Sequence, residues 1–315
     1  MKAWMRVLRV TLTSRKLKKQ MVFGNSQFTT GFDLAIDVSG YKYLSSLKDN
    51  CTVKLTNLTY NEVMQIIVGE FYDVKIEAGY RDSSVQTIFD GGVLYISNAR
   101  EDATTNTVII LCASKLVARY GQSRINLTLN SGINMYSAIK FGLKRAGISE
   151  VTISEQLKKR ILSDKENVAD SPQSWIDKLT KINDSFCVNA DSSVNPNSIV
   201  SIFDANRSNA RVITLKRDQL DLSSGYPRLT SDGLSMAVLP TFGYMCGDVI
   251  KIDNSLIDIS VTSKDEISKN YGKYFDEEGC YMIYQIGYTL QNRGSSFSLD
   301  LTCKTRSLIS NFTGT

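Results

Sequence analysis

Apolar residues at every second position mark the first third of the chain as strands. Leu8, Val10 and Leu12 alternate with Arg9, Thr11 and Thr13, so one face is apolar and the other polar. Residues 15–19 are basic and predict a polar loop. Phe32, Leu34 and Ile36 alternate with Asp33 and Asp37, Val53 and Leu55 lead to Asn57, and Val74, Ile76 and Ala78 stop at Gly79. These give the second, third and fourth strands. Residues 61–68 predict a short helix capped by Asn61, with Val63, Ile66 and Ile67 as its buried stripe. Residues 89–96 and 107–112 read as two long strands joined by the polar stretch 97–106, a hairpin with an extended loop.

The period then changes. Met135, Ile139 and Leu143 recur at helical spacing, with Ser131 or Asn134 before them and Gly147 after. Ser171-Pro172 opens a second helix, with Trp175, Ile176 and Leu179 on one face. Short strands at 186–188 and 199–203 flank a turn at Asn195-Pro196-Asn197. The last third returns to strands at 249–252, 256–261, 281–288 and 297–303. The expected division is a first β-barrel over 1–119, an α/β insert domain over 120–225 and a second β-barrel over 226–315.

The two β-rich thirds read as copies of each other. Shifting the first hairpin by 191 places Val93 on Tyr284, Tyr95 on Ile286, Val108 on Leu299, Ile110 on Leu301 and Cys112 on Cys303, without a gap. The apolar phase survives, which matters because a one-residue slip turns a strand inside out. The preceding strands also agree, Val74-Lys75-Ile76 against Val249-Ile250-Lys251-Ile252. Duplication predicts two related barrels in one chain.

Composition narrows the chemistry. The 315 residues contain no histidine, which removes Ser-His-Asp triads, Cys-His nucleophile pairs, HExxH zinc sites and C2H2 fingers together. The 6 cysteines form no CxxC, and Cys112 and Cys303 sit in apolar runs, so all are expected reduced, in a protein folded in a cytoplasm. The first twelve residues are interrupted by Lys2, Arg6 and Arg9 and make no signal peptide. No apolar run reaches the ~18 residues of a membrane span. Asn57-Leu58-Thr59 and Asn126-Leu127-Thr128 are then chance glycosylation matches. The net charge of +5 is concentrated early: Lys2, Arg6, Arg9, Arg15, Lys16, Lys18 and Lys19 precede the first acid, Asp33. This is a modest excess beside that of a dedicated nucleic-acid binder.

Motifs of catalysis are missing. There is no GxxxxGK[ST], GxGxxG or GxSxG, and Gly91-Gly92 reads as a bulge or turn. The S-x-x-K matches at Ser45 to Lys48 and Ser137 to Lys140 lack companion motifs. Asp276-Glu277-Glu278 lies in a polar loop, where nothing raises a general acid's pKa. Asp248, Asp253 and Asp258 fit no calcium loop and read as turn residues and solvated faces. Aromatic and basic residues are not interleaved along the sequence, so no base-stacking platform is expected. No catalytic, cofactor or metal residue is assigned. The fold class is α+β and mostly antiparallel β, and barrel edges with long hairpins suit assembly by strand pairing.

Three segments resemble the baseplate hub proteins of contractile-tailed bacteriophages, the tail late-control protein D family, and the N-terminal half of type VI secretion spike proteins. The first is Val74-Lys75-Ile76-Glu77-Ala78-Gly79-Tyr80 with Ile88-Phe89-Asp90-Gly91-Gly92-Val93. The second is Gly225-Tyr226-Pro227-Arg228-Leu229-Thr230, then Leu239-Pro240 and Gly247-Asp248-Val249-Ile250. The third is Tyr281-Met282-Ile283-Tyr284-Gln285-Ile286-Gly287-Tyr288, then Arg293-Gly294 and residues 298–303, with Tyr288 and Phe297 where the family often carries histidine and tryptophan. The resemblance implies two tail-tube-type barrels per chain and a homotrimer forming a pseudo-sixfold ring. That ring joins the tail tube to the central spike, contacts other baseplate proteins and lets DNA pass, in the virion tail baseplate. Arg15, Lys16, Lys18 and Lys19 are the candidate contact with a neighbouring baseplate or tube protein. The rival expectations are a peptidoglycan-degrading tail-tip enzyme and a nucleic-acid-binding β protein.

Overall fold

A computed structural model of the chain describes residues 6–24, 34–44, 49–81, 84–100, 105–182, 186–189, 198–204, 210–230, 233–258 and 275–305. The first region carries strands β1 (Arg6–Ser14), β2 (Lys19–Gly24), β3 (Ala35–Tyr43) and β4 (Asn50–Thr56), helix α1 (Tyr60–Val68), strands β5 (Asp73–Tyr80), β6 (Gln86–Arg100) and β7 (Asn106–Ser114), and helix α2 (Lys115–Tyr120). The middle carries β8 (Ile125–Leu129), α3 (Met135–Arg145), β9 (Val151–Ile153), β10 (Glu166–Asp170), α4 (Pro172–Ile182), β11 (Phe186–Asn189) and β12 (Val200–Asp204). The last region carries β13 (Val212–Thr214), β14 (Arg228–Thr230), β15 (Gly233–Val238), β16 (Val249–Lys251), β17 (Cys280–Gln291) and β18 (Phe297–Thr305). The chain is therefore mostly antiparallel β with a helical minority.

Alternation sets the strands. Leu8, Val10 and Leu12 of β1 are fully buried, as are Val53 and Leu55 of β4, Val108 and Ile110 of β7 and Leu301 and Cys303 of β18. Two further strands follow the same rule. β2 continues past the basic loop, and in β15 Leu234, Met236 and Val238 are buried at alternate positions. The predicted strand at 256–261 differs. Residues 254–256 form a helical turn capped by Asp253, Asp258 makes an isolated bridge, and 259–261 lie outside the described residues, as do Phe32, Asp33 and the turn at 195–197.

Local signals fix the helices. Thr59, not Asn61, caps α1: its Oγ1 accepts from the Glu62 N–H while the Glu62 carboxylate accepts from the Thr59 N–H, at 3.3 and 2.8 Å. Asn134 caps α3 through the Ser137 N–H at 2.8 Å. Ser171 accepts from the Ser174 N–H at 3.2 Å at the start of α4. The helix α4 buries Trp175, Ile176 and Leu179, and the Trp175 ring lies where a Cβ on Gly142 of α3 would stand, 2.3 Å away.

There are two hydrophobic cores. One joins residues between Leu8 and Cys112 to residues between Ile213 and Cys303; the other runs from Leu116 to Ile202 around α3 and α4. Ile213, Leu215 and Leu220 belong to the first core. The α/β segment thus gives way to the second β-rich region by Val212, ahead of the boundary at 225 expected from the sequence.

The β-rich regions form one thirteen-stranded sheet, β14-β15-β18-β17-β3-β4-β7-β6-β5-β1-β2, with β16 on β17 and β13 on β16. No closed barrel is present among the described strands. Within the sheet the same order occurs twice: β3-β4-β7-β6-β5-β1 and β14-β15-β18-β17-β16-β13. Chain order is the same in both. Equivalent pairs face each other: Cys51 with Cys112 and Leu234 with Cys303, then Val53 with Ile110 and Met236 with Leu301. Both long hairpins bulge at one place, after Val93–Cys112 in the first and after Ile283–Cys303 in the second. The residue before each bulge donates its N–H in the same way, Val93 to the Tyr72 carbonyl at 2.9 Å and Ile283 to the Asp248 carbonyl at 2.8 Å. One exception stands out: β1 is antiparallel to β5, whereas β13 is parallel to β16.

The gap-free shift of 191 needs correction. It holds from β7 to β18, but Val93 falls on Ile283 rather than Tyr284, a shift of 190. The connection between β17 and β18 is one residue longer than that between β6 and β7, and it absorbs the difference.

Candidate assembly surfaces

Several side chains weighed for chemistry have structural uses. Asp276 closes a turn, its Oδ1 accepting from the N–H groups of Glu278 and Cys280 at 3.0 and 3.1 Å. Asp248, expected on a solvated face, is buried instead: it pairs with Arg211, whose Nε lies 3.3 Å from Oδ1, and accepts from the Met245 N–H at 3.0 Å. Asp253 is a turn residue, held below the usual aspartate range by hydrogen bonds from Ser255. Burial pushes the Cys51 thiol up to about 12, and the Cys112 and Cys303 thiols up as well, so their nucleophilic thiolates are suppressed. Among the described residues no three His, Cys, Asp or Glu side chains gather as a metal site, and no helix is long and apolar enough to cross a membrane. Ser137 and Lys140 both lie on α3, while Ser45 and Lys48 fall outside the described residues.

Helix α3 and the turn packed on it do bring cations onto rings. Lys140 and Lys158 lie 5.6 and 5.0 Å from the Tyr136 centroid, and Arg145 lies 5.3 Å from that of Phe141. The signal was present as the i, i+4 pairs 136/140 and 141/145 on one helix.

The basic residues Arg15, Lys16, Lys18 and Lys19 sit at and beside the β1–β2 turn. Arg15 pairs with Asp73 at 2.6 Å, Lys16 with Glu70 at 2.9 Å, and Lys19 donates to Gln65 at 3.0 Å. Lys18 occupies the left-handed region at φ 50°. These contacts fasten the turn to α1 and the segment after it. The helix α1 has two apolar faces. Val63 and Ile66 are buried, but Ile67, expected in the buried stripe, is exposed with Tyr60, Met64 and Val68. Leu17 and Tyr72 extend that exposed face, and a groove of about 450 Å³ runs between the turn and the helix, lined by Leu17, Lys19, Met64, Val68 and Phe71. Positions 60, 64, 67 and 68 follow helical spacing, so the second face was readable in the sequence.

A second surface is internal. Past its bulge, β17 leaves β16 and takes β3 as neighbour, from Gln285–Tyr43 to Gln291–Asp37. Tyr288 is buried there and its hydroxyl donates to the Asn50 carbonyl at 2.7 Å. Gly40 lies opposite it, and a Cβ at Gly40 would stand 2.2 Å from the Asn50 oxygen and 2.6 Å from the tyrosine hydroxyl. Arg6 further ties β1 to the β17–β18 turn, donating to the carbonyls of Gly294 and Ser295 at 2.6 and 3.0 Å. The two copies are thus joined edge to edge by a seam of main-chain pairs.

No protein-family model and no curated protein matches the sequence. Solved structures do share its fold. The 43 kDa tail protein of prophage MuSo2 from Shewanella oneidensis aligns with a TM-score of 0.59 at 8% identity, over 96% of this chain and 98% of that one. A tail protein from Neisseria meningitidis MC58 aligns at 0.55 and 9%, over 96% and 97%. The E. coli c3393 protein, a component of the type VI secretion system with structural similarity to the bacteriophage T4 tail proteins gp27 and gp5, aligns at 0.56 and 10%, over 87% and 75%.

Proposed function

We propose that this chain is a structural protein of a phage-type tail baseplate, a hub whose three copies form a pseudo-sixfold ring between the tail tube and the central spike, with a passage for DNA. The observation that carries this reading is the repeated six-strand order, with its repeated bulge, inside one chain. Duplication lets three subunits present six similar units, matching sixfold to threefold symmetry. The fold shared with phage tail proteins along nearly their whole length supports the same reading. In the ring each copy of the sheet curls into a tube-type barrel wall, and the α/β segment packs outside as an insert. The hairpin tip with Arg15, Lys16, Lys18 and Lys19, together with the exposed apolar face of α1, contacts a neighbouring baseplate or tube protein. The role is one of assembly, not catalysis.

Light scattering behind a sizing column tests the ring. The expected mass is three times the 35.1 kDa of one chain. A monomer that persists at high concentration and with the spike protein added overturns the reading.

A further inference from the structure

The seam inside the chain has a counterpart with one side missing. At β17 the proximal half lies on β16 and the distal half, after the bulge at Tyr284, lies on β3. At β6 the proximal half lies on β5 as far as Gly92, and the bulge falls at Leu94. Beyond it residues Tyr95–Arg100 pair with β7 alone, and among the described residues no strand lies on the other side. The Asn106 carbonyl accepts from the Asn57 N–H at 2.7 Å on the β4 side, so Asn106 points away from its partner Arg100. Alternation then turns the main-chain groups of Arg100, Asn98 and Ile96 outward, a row of donors and acceptors. Leu94 and Tyr95 beside this edge are 55% and 59% exposed.

The strand that would complete the seam is also on the chain. In the repeated order β14 stands where β3 stands: Leu229 faces Leu234 as Gly40 faces Cys51. Among the described residues its outer edge meets Asp258, whose N–H donates to the Pro227 carbonyl at 2.7 Å and whose carbonyl accepts from the Leu229 N–H at 3.4 Å. We propose that the open edge of β6 pairs with the outer edge of β14 in a second copy of this chain, repeating between chains the seam that β17 and β3 make within one. The proposal rests on the ring reading and names its contact. The incoming strand displaces the Asp258 bridge and sets a ladder in its place.

The internal seam supplies the register. Tyr288–Gly40 maps onto Asn98 and Leu229 of the second copy, and Thr289–Ser39 maps onto Ala99 and Arg228 of the second copy. Residue sizes are exchanged in a complementary sense: the large Tyr288 crosses Gly40, and the small Asn98 meets the larger leucine. Such a contact is head-to-tail, so it closes a ring or runs on as a filament. A second copy is the occupant because the matching edge belongs to the same chain.

Two variants test this. In the mapped register Ala99 and Arg228 form a non-hydrogen-bonded antiparallel pair, where Cα atoms stand about 4.5 Å apart, within disulfide reach. Oxidised full-length protein carrying both Ala99→Cys and Arg228→Cys is expected to run as linked dimers and trimers on a non-reducing gel, while each single variant stays unlinked. Asn98→Pro removes an outward N–H and spares the ladder to β7. It is expected to cut assembly at least tenfold while leaving the melting of the monomer in place. A trimeric mass without linkage in the double variant, or unchanged assembly of Asn98→Pro, overturns the β6–β14 seam and leaves the ring standing. A monomer under all conditions overturns the ring itself.

Discussion

The two long hairpins share strand order, bulge and core, yet they end differently. The distal half of β17 is covered by β3, and its tyrosine reaches across the seam to the Asn50 carbonyl. The distal half of β6 runs from Tyr95 and Ile96 into Ser97-Asn98-Ala99-Arg100, and among the described residues no second strand covers it. Both are the same piece of architecture, once satisfied within the chain and once left polar. The polar residues that end this edge, Ser97, Asn98 and Arg100, limit pairing with unrelated strands before the partner is met. The contrast therefore separates what the fold repeats from what each copy does with it.

The sharpest way to break the comparison is to exchange the residue at the seam. Gly40→Leu installs the side chain that Leu229 carries at the equivalent place, where the Asn50 carbonyl and Tyr288 leave no room for a Cβ. A loss of at least about 4 kcal/mol in urea unfolding is expected. Next come the paired cores. Ile110→Ala and Leu301→Ala remove fully buried, equivalent side chains, and each should cost about 2–5 kcal/mol. Similar costs in denaturant titrations would show that the copies are equally packed, and a wide gap would show that one dominates the shared core.

Smaller effects sharpen it further. Tyr288→Phe deletes the seam hydrogen bond to the Asn50 carbonyl, at about 0.5–1.5 kcal/mol. Asn98→Ala at the equivalent exposed place should leave the stability of the monomer within about 0.5 kcal/mol. The smallest effect concerns Asp300 in the second copy, where the first carries Ile109. Asp300 is exposed, and partial desolvation by the sheet around it, and then the nearby Asp221 carboxylate, raise its carboxyl pKa above the ordinary 3.8. The ionised form is therefore disfavoured in the folded state, and stability falls as pH rises through this range. Asp300→Asn should melt higher than the parent at pH 7, and the difference should shrink as pH falls below 3.8.

Much of this was legible in the pattern. The alternation of β1, β7 and β18 and the caps at Asn134 and Ser171 each come from a local rule, and the strands and helices form where those rules place them. The repeat was visible because both hairpins keep their apolar phase. Its register was not, since a bulge and a longer turn displace residues without changing hydropathy. Strand β15 carries a plain alternating signal, and the exposed face of α1 carries a helical one, but periodicity alone does not say which of two apolar faces of a helix meets the core. The basic cluster was found, but its fastening to α1 through Glu70 and Gln65 depends on residues some fifty positions away.

By itself the sequence determined most of the element types, the absence of histidine chemistry, the α/β interruption and the existence of two related β-rich regions, because these depend on residue identity and near-neighbour period. Only the tertiary structure decided that the two regions fuse into one sheet through β17 and β3, that Asp248 is buried against Arg211 and that Ile67 faces out. It also decided that, among the described residues, no second strand covers the distal half of β6. Each of these is a question of which distant main-chain groups meet. Hydrogen-bonding groups are the same at every residue, so no side-chain pattern records their partners until the chain has folded.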